Sequence, residues 1–250
     1  MEGPSLRLAA EQLAPFVGQV VLKVDGNTKI DKERFFKQKV RSIFSYGKTL
    51  IFQFDQFALR VHFLLFGSFE ATVNGKKVTG DYPKKARIPR LAFQFKNGHI
   101  ELYSCSVKVI EEANFKALCD FTIDIMDDEW NPSKAYLKLK KHSNCEIGDV
   151  LLDQEIFLGV GNIIKNEVLF LAKVSPLRKL EELSPQRLKK IVALARTYVF
   201  QFYEWRKKFE LRKHYQIYRQ RHCKVCGSPV LKKKTGLRDR MSFSCPHCQE

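Results

Sequence analysis

Four cysteines near the C-terminus constrain this chain more than any other feature. They read Cys223-Lys-Val-Cys226 and, after an intervening stretch of 18 residues, Cys245-Pro-His-Cys248. Two such knuckles bring four thiolates within reach of one tetrahedral ion, and this donor set suits a single structural Zn²⁺. The segment that carries them, residues 216–250, is therefore expected to fold as a cross-linked hairpin. Its arms are cationic, with Lys232, Lys233, Lys234, Arg238 and Arg240. A hairpin of that kind can touch phosphates; it can also be only a folding staple.

Charge narrows the partners. The 250 residues carry a formal net charge of +17, which favours polyanions: DNA, RNA or an anionic membrane surface. No apolar run is long enough to span a bilayer, so no membrane partner is expected. The start lacks the basic and then apolar stretch of a secretory signal. Seven cysteines, four of them in metal spacing, suit a reducing compartment. Cys105, Cys119 and Cys145 are expected to be reduced thiols. At this length two domains are plausible.

The hydrophobic pattern divides the chain. Ser5, after Pro4, can cap a helix predicted over residues 6–16, with Leu6, Ala9, Ala10 and Leu13 on one face. Strand-like alternation follows over residues 20–24, 40–46, 49–54, 58–63, 68–73, 76–79, 90–95 and 99–103. Turn signals separate these runs at Gly47-Lys48, Asn74-Gly75 and Asn97-Gly98. From Trp130 the period changes to helical, over residues 132–141, 147–152, 163–170 and 185–208. The expected fold class is α+β: an N-terminal β-sandwich over residues 1–126, a helical domain over 127–215 and a zinc finger over 216–250.

A second strong signal lies in the helical part. Gly159-Val-Gly161 precedes Asn162, which opens a helix. Free amides at that helix start, a close backbone approach at the glycines and an amide side chain can hold a phosphate. The same letters also suit an ordinary corner between two helices.

Here a resemblance becomes specific. Residues 151–170, with Ser175-Pro-Leu-Arg178, resemble the helix–two-turn–helix element of the Fpg/Nei family of DNA glycosylases. Arg240-Met-Ser-Phe-Ser-Cys-Pro-His-Cys-Gln249 resembles that family's zinc finger, Glu2-Gly3-Pro4 its N-terminal motif, and Tyr46-Gly-Lys48 its lysine-bearing turn. The resemblance covers essentially the whole chain. Phe63-Leu-Leu-Phe-Gly67 and Tyr103-Ser-Cys-Ser106 look more like endonuclease VIII than formamidopyrimidine-DNA glycosylase. The arginine-bearing loop of the latter has no counterpart around residues 104–108.

The resemblance implies a bifunctional DNA glycosylase/AP lyase of base-excision repair, acting on oxidised bases with pyrimidines favoured. A damaged base is flipped from the duplex. An N-terminal amine displaces it at the sugar C1′ as an imine, and β,δ-elimination nicks the strand. An α-amine suits this work, because such groups titrate at roughly 7.7–8.0 and a usable fraction is neutral near pH 7. By resemblance the catalytic residues are Met1 (the amine), Glu2 (proton transfer at the sugar) and Lys48 (a cation at a phosphate or in proton transfer). Asn162 and Arg240 would bind the phosphates flanking the lesion. Leu64, Leu65 and Phe66 would fill the gap left by the flipped nucleotide. His62 is expected to be structural. The expected partner is damaged DNA, bound by a monomer, in a bacterial cytoplasm with nucleoid association on DNA.

Two departures qualify this picture. The family usually begins Met-Pro-Glu-Gly-Pro and uses the exposed proline, whereas this chain reads Met1-Glu2-Gly3-Pro4. Met1 then takes the proline's register, and its primary amine can also form an imine. A non-catalytic damaged-DNA binding protein of the same fold is the alternative. Ser5 stands where some members carry a second glutamate. The lesion pocket is expected to depend on loops such as residues 74–89.

Overall fold

The computed structural model describes residues 1–80 and 87–250; the part of the expected lesion loop at 81–86 lies outside them. Two compact units are present, one of residue 1 with residues 5–119, the other of residues 2–4 with residues 120–250.

The chain opens with α1 (Gly3–Leu13). Leu6, Ala9, Ala10 and Leu13 are all buried, as their spacing predicts. The helix starts before Ser5, which is therefore inside it and not its cap. Pro4 sits in the first turn, where a missing N–H costs nothing. Helical hydrogen bonding stops at Leu13, and Ala14–Phe16, with Pro15, forms a single 3-10 turn.

The strands are β1 (Lys23–Asp25), β2 (Ser42–Tyr46), β3 (Thr49–Gln53), β4 (Ala58–Val73), β5 (Lys76–Thr79), β6 (Leu91–Phe95) and β7 (Gly98–Ile110). They form one antiparallel path, β1-β6-β7-β4-β3-β2, with β5 also paired to β4. In a flat sheet β3 and β6 would lie about 14 Å apart, three strand spacings. Yet the rings of Phe52 on β3 and Phe93 on β6 have centroids 6.0 Å apart. The sheet is folded on itself, so the expected sandwich is made from one continuous ladder. Phe35 fills its interior against Phe54, Phe57 and Phe93, at 5.4–5.6 Å. Each such pair adds about 0.5–1.5 kcal/mol to the burial itself.

Two expected strands, at 58–63 and 68–73, prove to be the single strand β4. Both halves pair with β7, and the register shifts between Phe63 and Ser68. The strand expected at 20–24 is displaced: only Lys23–Asp25 pairs as a strand, and Val20 makes an isolated bridge to Lys39.

The second unit contains α2 (Pro132–Lys140), α3 (Ile147–Val150), α4 (Asn162–Ala172), α5 (Pro185–Lys207) and the hairpin β8 (Leu231–Thr235) with β9 (Arg240–Ser244). The side chains of Asn131 and Ser184 accept from Lys134 and Arg187 amides and so cap α2 and α5. Leu188, Ile191, Val192, Ala195 and Val199 of α5 are buried with Ile164, Val168 and Leu169 of α4. Full burial of such side chains stabilises by roughly 1.5–3 kcal/mol each. A separate small core joins Phe170 of α4 to Ile217, Cys223, Phe243 and Cys245, so the finger segment packs on α4. Among the described residues no helix is long and apolar enough to cross a membrane.

Candidate functional site

In the second unit, the start of α4 gathers several of the candidate residues. Its cap position is Gly161, which offers no side chain. The acceptor comes instead from Glu2: Ile163 N–H donates to Oε1 at 2.7 Å and Ile164 N–H to Oε2 at 3.2 Å. Glu2 is only 8% exposed. A carboxylate on a helix N-terminus gains from both the amides and the helix dipole, about 1–2 kcal/mol where it is partly buried. A Cβ on residue 161 would lie 2.4 Å from Glu2 Cδ, so only glycine leaves room for the carboxylate. Gly3 N–H donates to Gly159 O at 2.9 Å and fixes the approach. The amides of Ile163 and Ile164, which the sequence offered to a phosphate, are therefore taken by Glu2.

The side chain of Asn162 ties the start of α4 to the hairpin. Its Nδ2 donates to the carbonyl of Met241, 2.9 Å away, on the residue after Arg240. The two residues read as phosphate ligands are thus brought together, and Arg240 is exposed.

Three consecutive buried residues of α4 escaped the sequence reading. Lys165 Nζ donates to Ser242 Oγ at 2.8 Å, and Ser242 meets Thr235 Oγ1 across the hairpin. Burial lowers the Lys165 ammonium to about 8; Arg240 adds to the shift, while Asp149 and Glu2 oppose it. Asn166 Nδ2 donates to Asn162 O, and its Oδ1 accepts from Phe243 N–H at 2.7 Å. Glu167 accepts three backbone N–H groups, from Gln216, Ile217 and Tyr218, at 2.8–3.0 Å. Burial raises its pKa although these bonds oppose the rise. Lys165, Asn166 and Glu167 thereby position β9 and the turn at residues 216–218 that leads into the finger. Their signal was present as a polar run inside an otherwise apolar helix.

The four cysteine sulfurs all lie within 4.8 Å of one another. A tetrahedron with metal–sulfur bonds of about 2.3 Å has sulfur–sulfur edges of about 3.8 Å. Cys223 and Cys248 stand 3.8 Å apart and Cys226 and Cys245 3.3 Å. The cluster could hold a metal ion. Gln249 supports it from behind: its Oε1 accepts from Cys245 N–H and its Nε2 donates to Val174 O.

In the first unit, Lys48 sits half-buried in the two-residue turn between β2 and β3, as the sequence indicated. Met1 packs against the sandwich core. Partial burial, the N-terminal ammonium, Lys48 and Arg60 push the His62 imidazole below its ordinary value. Amine, Lys48 and His62 therefore share one electrostatic neighbourhood. Leu64, Leu65 and Phe66 lie where the β4 register shifts and are 51, 70 and 59% exposed.

The family description "Formamidopyrimidine-DNA glycosylase H2TH domain" matches residues 110–200. The formamidopyrimidine-DNA glycosylase of Oceanobacillus iheyensis is 30% identical over 234 residues, which are 85% of this chain and 80% of the relative. The chain belongs to the Fpg/Nei family of DNA glycosylases. Endonuclease 8-like 3 of Homo sapiens is 29% identical over 253 residues, covering all of this family member but 41% of the human protein. The chain spans a third to two fifths of the length of such animal relatives. The Lactococcus lactis formamidopyrimidine-DNA glycosylase, solved non-covalently bound to DNA containing an AP site, has the same fold: TM-score 0.84, 21% identity, all of both chains covered.

Proposed function

We propose that this chain is a bifunctional DNA glycosylase/AP lyase of base-excision repair. The observation that carries the reading is the seat of Glu2, a buried carboxylate fixed on two amides and one peptide bond from the chain's first amine. In the proposed reaction the unprotonated amine attacks C1′ of a deoxyribose whose damaged base has left the stack. The C1′–N bond breaks and the base departs with a proton. Glu2 passes a proton to the ring oxygen as the sugar opens, leaving an imine at C1′. Loss of the C2′ proton expels the 3′ phosphate, a second elimination expels the 5′ phosphate, and water releases the amine.

The other residues take roles consistent with their places. Lys48 supplies a cation at a phosphate or in proton transfer; His62, held below its usual pKa, stays neutral. Arg240 and Asn162 hold the phosphates beside the lesion. The exposed Leu64, Leu65 and Phe66 fill the vacated stack. The ion proposed for the four cysteines is Zn²⁺, which supplies folding energy and no chemistry. Oxidised pyrimidines are the favoured lesions, a preference supported by the endonuclease VIII-like residues 63–67 and 103–106. A monomer acting in a bacterial cytoplasm completes the reading.

One observation favours a second reading. The expected proline is missing before Glu2, which is compatible with a lesion-binding protein that does not cut. Borohydride trapping on an oligonucleotide with one abasic site separates the two. A reduced adduct mapped by mass spectrometry to the residue before Glu2 supports the lyase; specific binding with no adduct supports the binding protein.

A further inference from the structure

The tip of the β8–β9 hairpin is held in an unusual way. Leu237 N–H donates to Asp149 Oδ2 of α3 at 2.6 Å. The preceding Gly236 has φ 70, and a Cβ there would lie 2.0–2.4 Å from the carboxylate atoms of Asp149. One carboxylate thus grips the turn from beneath. The side chain of Leu237 is 97% exposed, more than any other large apolar side chain among the described residues.

A single exposed leucine ordinarily needs no explanation. This one is distinguished by its surroundings. Lys232, Lys233, Lys234, Arg238 and Arg240 are exposed on the same hairpin. The acid of the turn, Asp239, is paired with Lys234 and so does not oppose a phosphate. The turn leads directly into Arg240 and the Met241 carbonyl that Asn162 holds. An apolar point ringed by cations matches the grooves of a nucleic acid, where phosphates flank apolar sugar and base edges.

We propose that Leu237 is an apolar insertion point that enters a DNA groove beside the phosphates held by Arg240, with Asp149 as the residue that positions it. The inference rests on the DNA-repair reading above and adds a contact to it. A rigid turn meets the duplex without first having to be ordered, which is why a carboxylate clamp beneath the tip matters.

The test is binding of the full chain to a duplex containing a stable abasic analogue, over a range of salt. Leu237→Ala is expected to weaken binding about tenfold and to leave the slope of log K against log salt unchanged, since no phosphate contact is lost. Arg240→Ala should instead reduce that slope by about one. Asp149→Ala should weaken binding like Leu237→Ala, and the double variant should be little worse than either. In Leu237→Trp the new tryptophan emission should change on DNA binding, against the parent as control. Affinity within twofold of the parent in Leu237→Ala, or unchanged emission in Leu237→Trp, overturns the insertion alone. A parent that binds no DNA overturns this proposal together with the repair reading.

Discussion

Glu2 and Ile163 are 161 positions apart, yet the amide of Ile163 donates to the Glu2 carboxylate at 2.7 Å. The contact survives only because residue 161 has no side chain. Gly161→Ala must push the carboxylate off the helix start, since the new Cβ would stand 2.4 Å from Cδ. We expect Gly161→Ala to lower strand nicking by at least about tenfold, about 1.4 kcal/mol in the barrier, while affinity for abasic DNA changes little. Glu2→Gln keeps the shape and one acceptor but loses the charge. Its nicking should fall at least as far, and it should lose about 1 kcal/mol of stability. Parental turnover in Gly161→Ala would show that the seat of Glu2 is dispensable.

Lys165 should make stability depend on alkaline pH. Its ammonium is held at about 8 when folded, against 10.5 unperturbed. Between those values the unfolded chain binds more protons, so stability rises with pH across that window and the gain is absent below it. At about 1.4 kcal/mol per unit the full gain is roughly 3 kcal/mol. Lys165→Met should remove it. Urea unfolding of both proteins at about pH 8 and about pH 10 tests this, the expected signal being a rise in parental stability relative to the variant.

Glu167 carries a different kind of load. Three amides, of Gln216, Ile217 and Tyr218, depend on it for an acceptor. Glu167→Ala leaves them buried without one, at about 1–3 kcal/mol per orphaned group. For a chain of this size a loss of about 4 kcal/mol corresponds to roughly 10 °C in melting temperature. Glu167→Gln retains an acceptor and should fall between the two. A calorimetric scan of the three proteins decides it; equal melting temperatures would mean that the segment finds other partners.

Metal removal should act on the finger first. Elemental analysis is expected to give one zinc per chain. Chelation should release the hairpin, because a four-thiolate site and the fold around it form together. Since Arg240 lies on β9, DNA affinity should then fall by at least about a hundredfold. The long helix α5, whose core is made with α4, should persist in far-ultraviolet circular dichroism. Cys245→Ser should mimic chelation, and an unchanged affinity in it would remove the finger from DNA binding.

What the sequence made legible was whatever rests on local pattern. The α5 stripe, the Gly47-Lys48 turn and the two cysteine knuckles are each written within a few residues of themselves. The use of Gly161 was not, because the atom that needs the space belongs to Glu2. Asp149 was invisible for the same reason: its partner, Leu237, is 88 positions away. The strand β4 was divided in two because Leu64, Leu65 and Phe66 break the alternation, although the backbone stays extended through them. Lys165, Asn166 and Glu167 could have been found, since three polar residues in an apolar helix interior demand buried partners.

Those same three exposed residues of β4 give the last prediction. Leu64, Leu65 and Phe66 lie at a register shift with half or more of their surface in solvent, so replacing all three with alanine should leave stability nearly unchanged. In a duplex their proposed work is to replace the stacking lost when a nucleotide turns out, which costs a few kcal/mol. Base release from a damaged duplex should therefore fall by about tenfold or more in the triple variant. Cleavage at an abasic site in a single strand needs no such filling and should be far less affected. Single-turnover rates on the two substrates make the comparison, and an equal loss on both would assign the three residues to general DNA affinity instead.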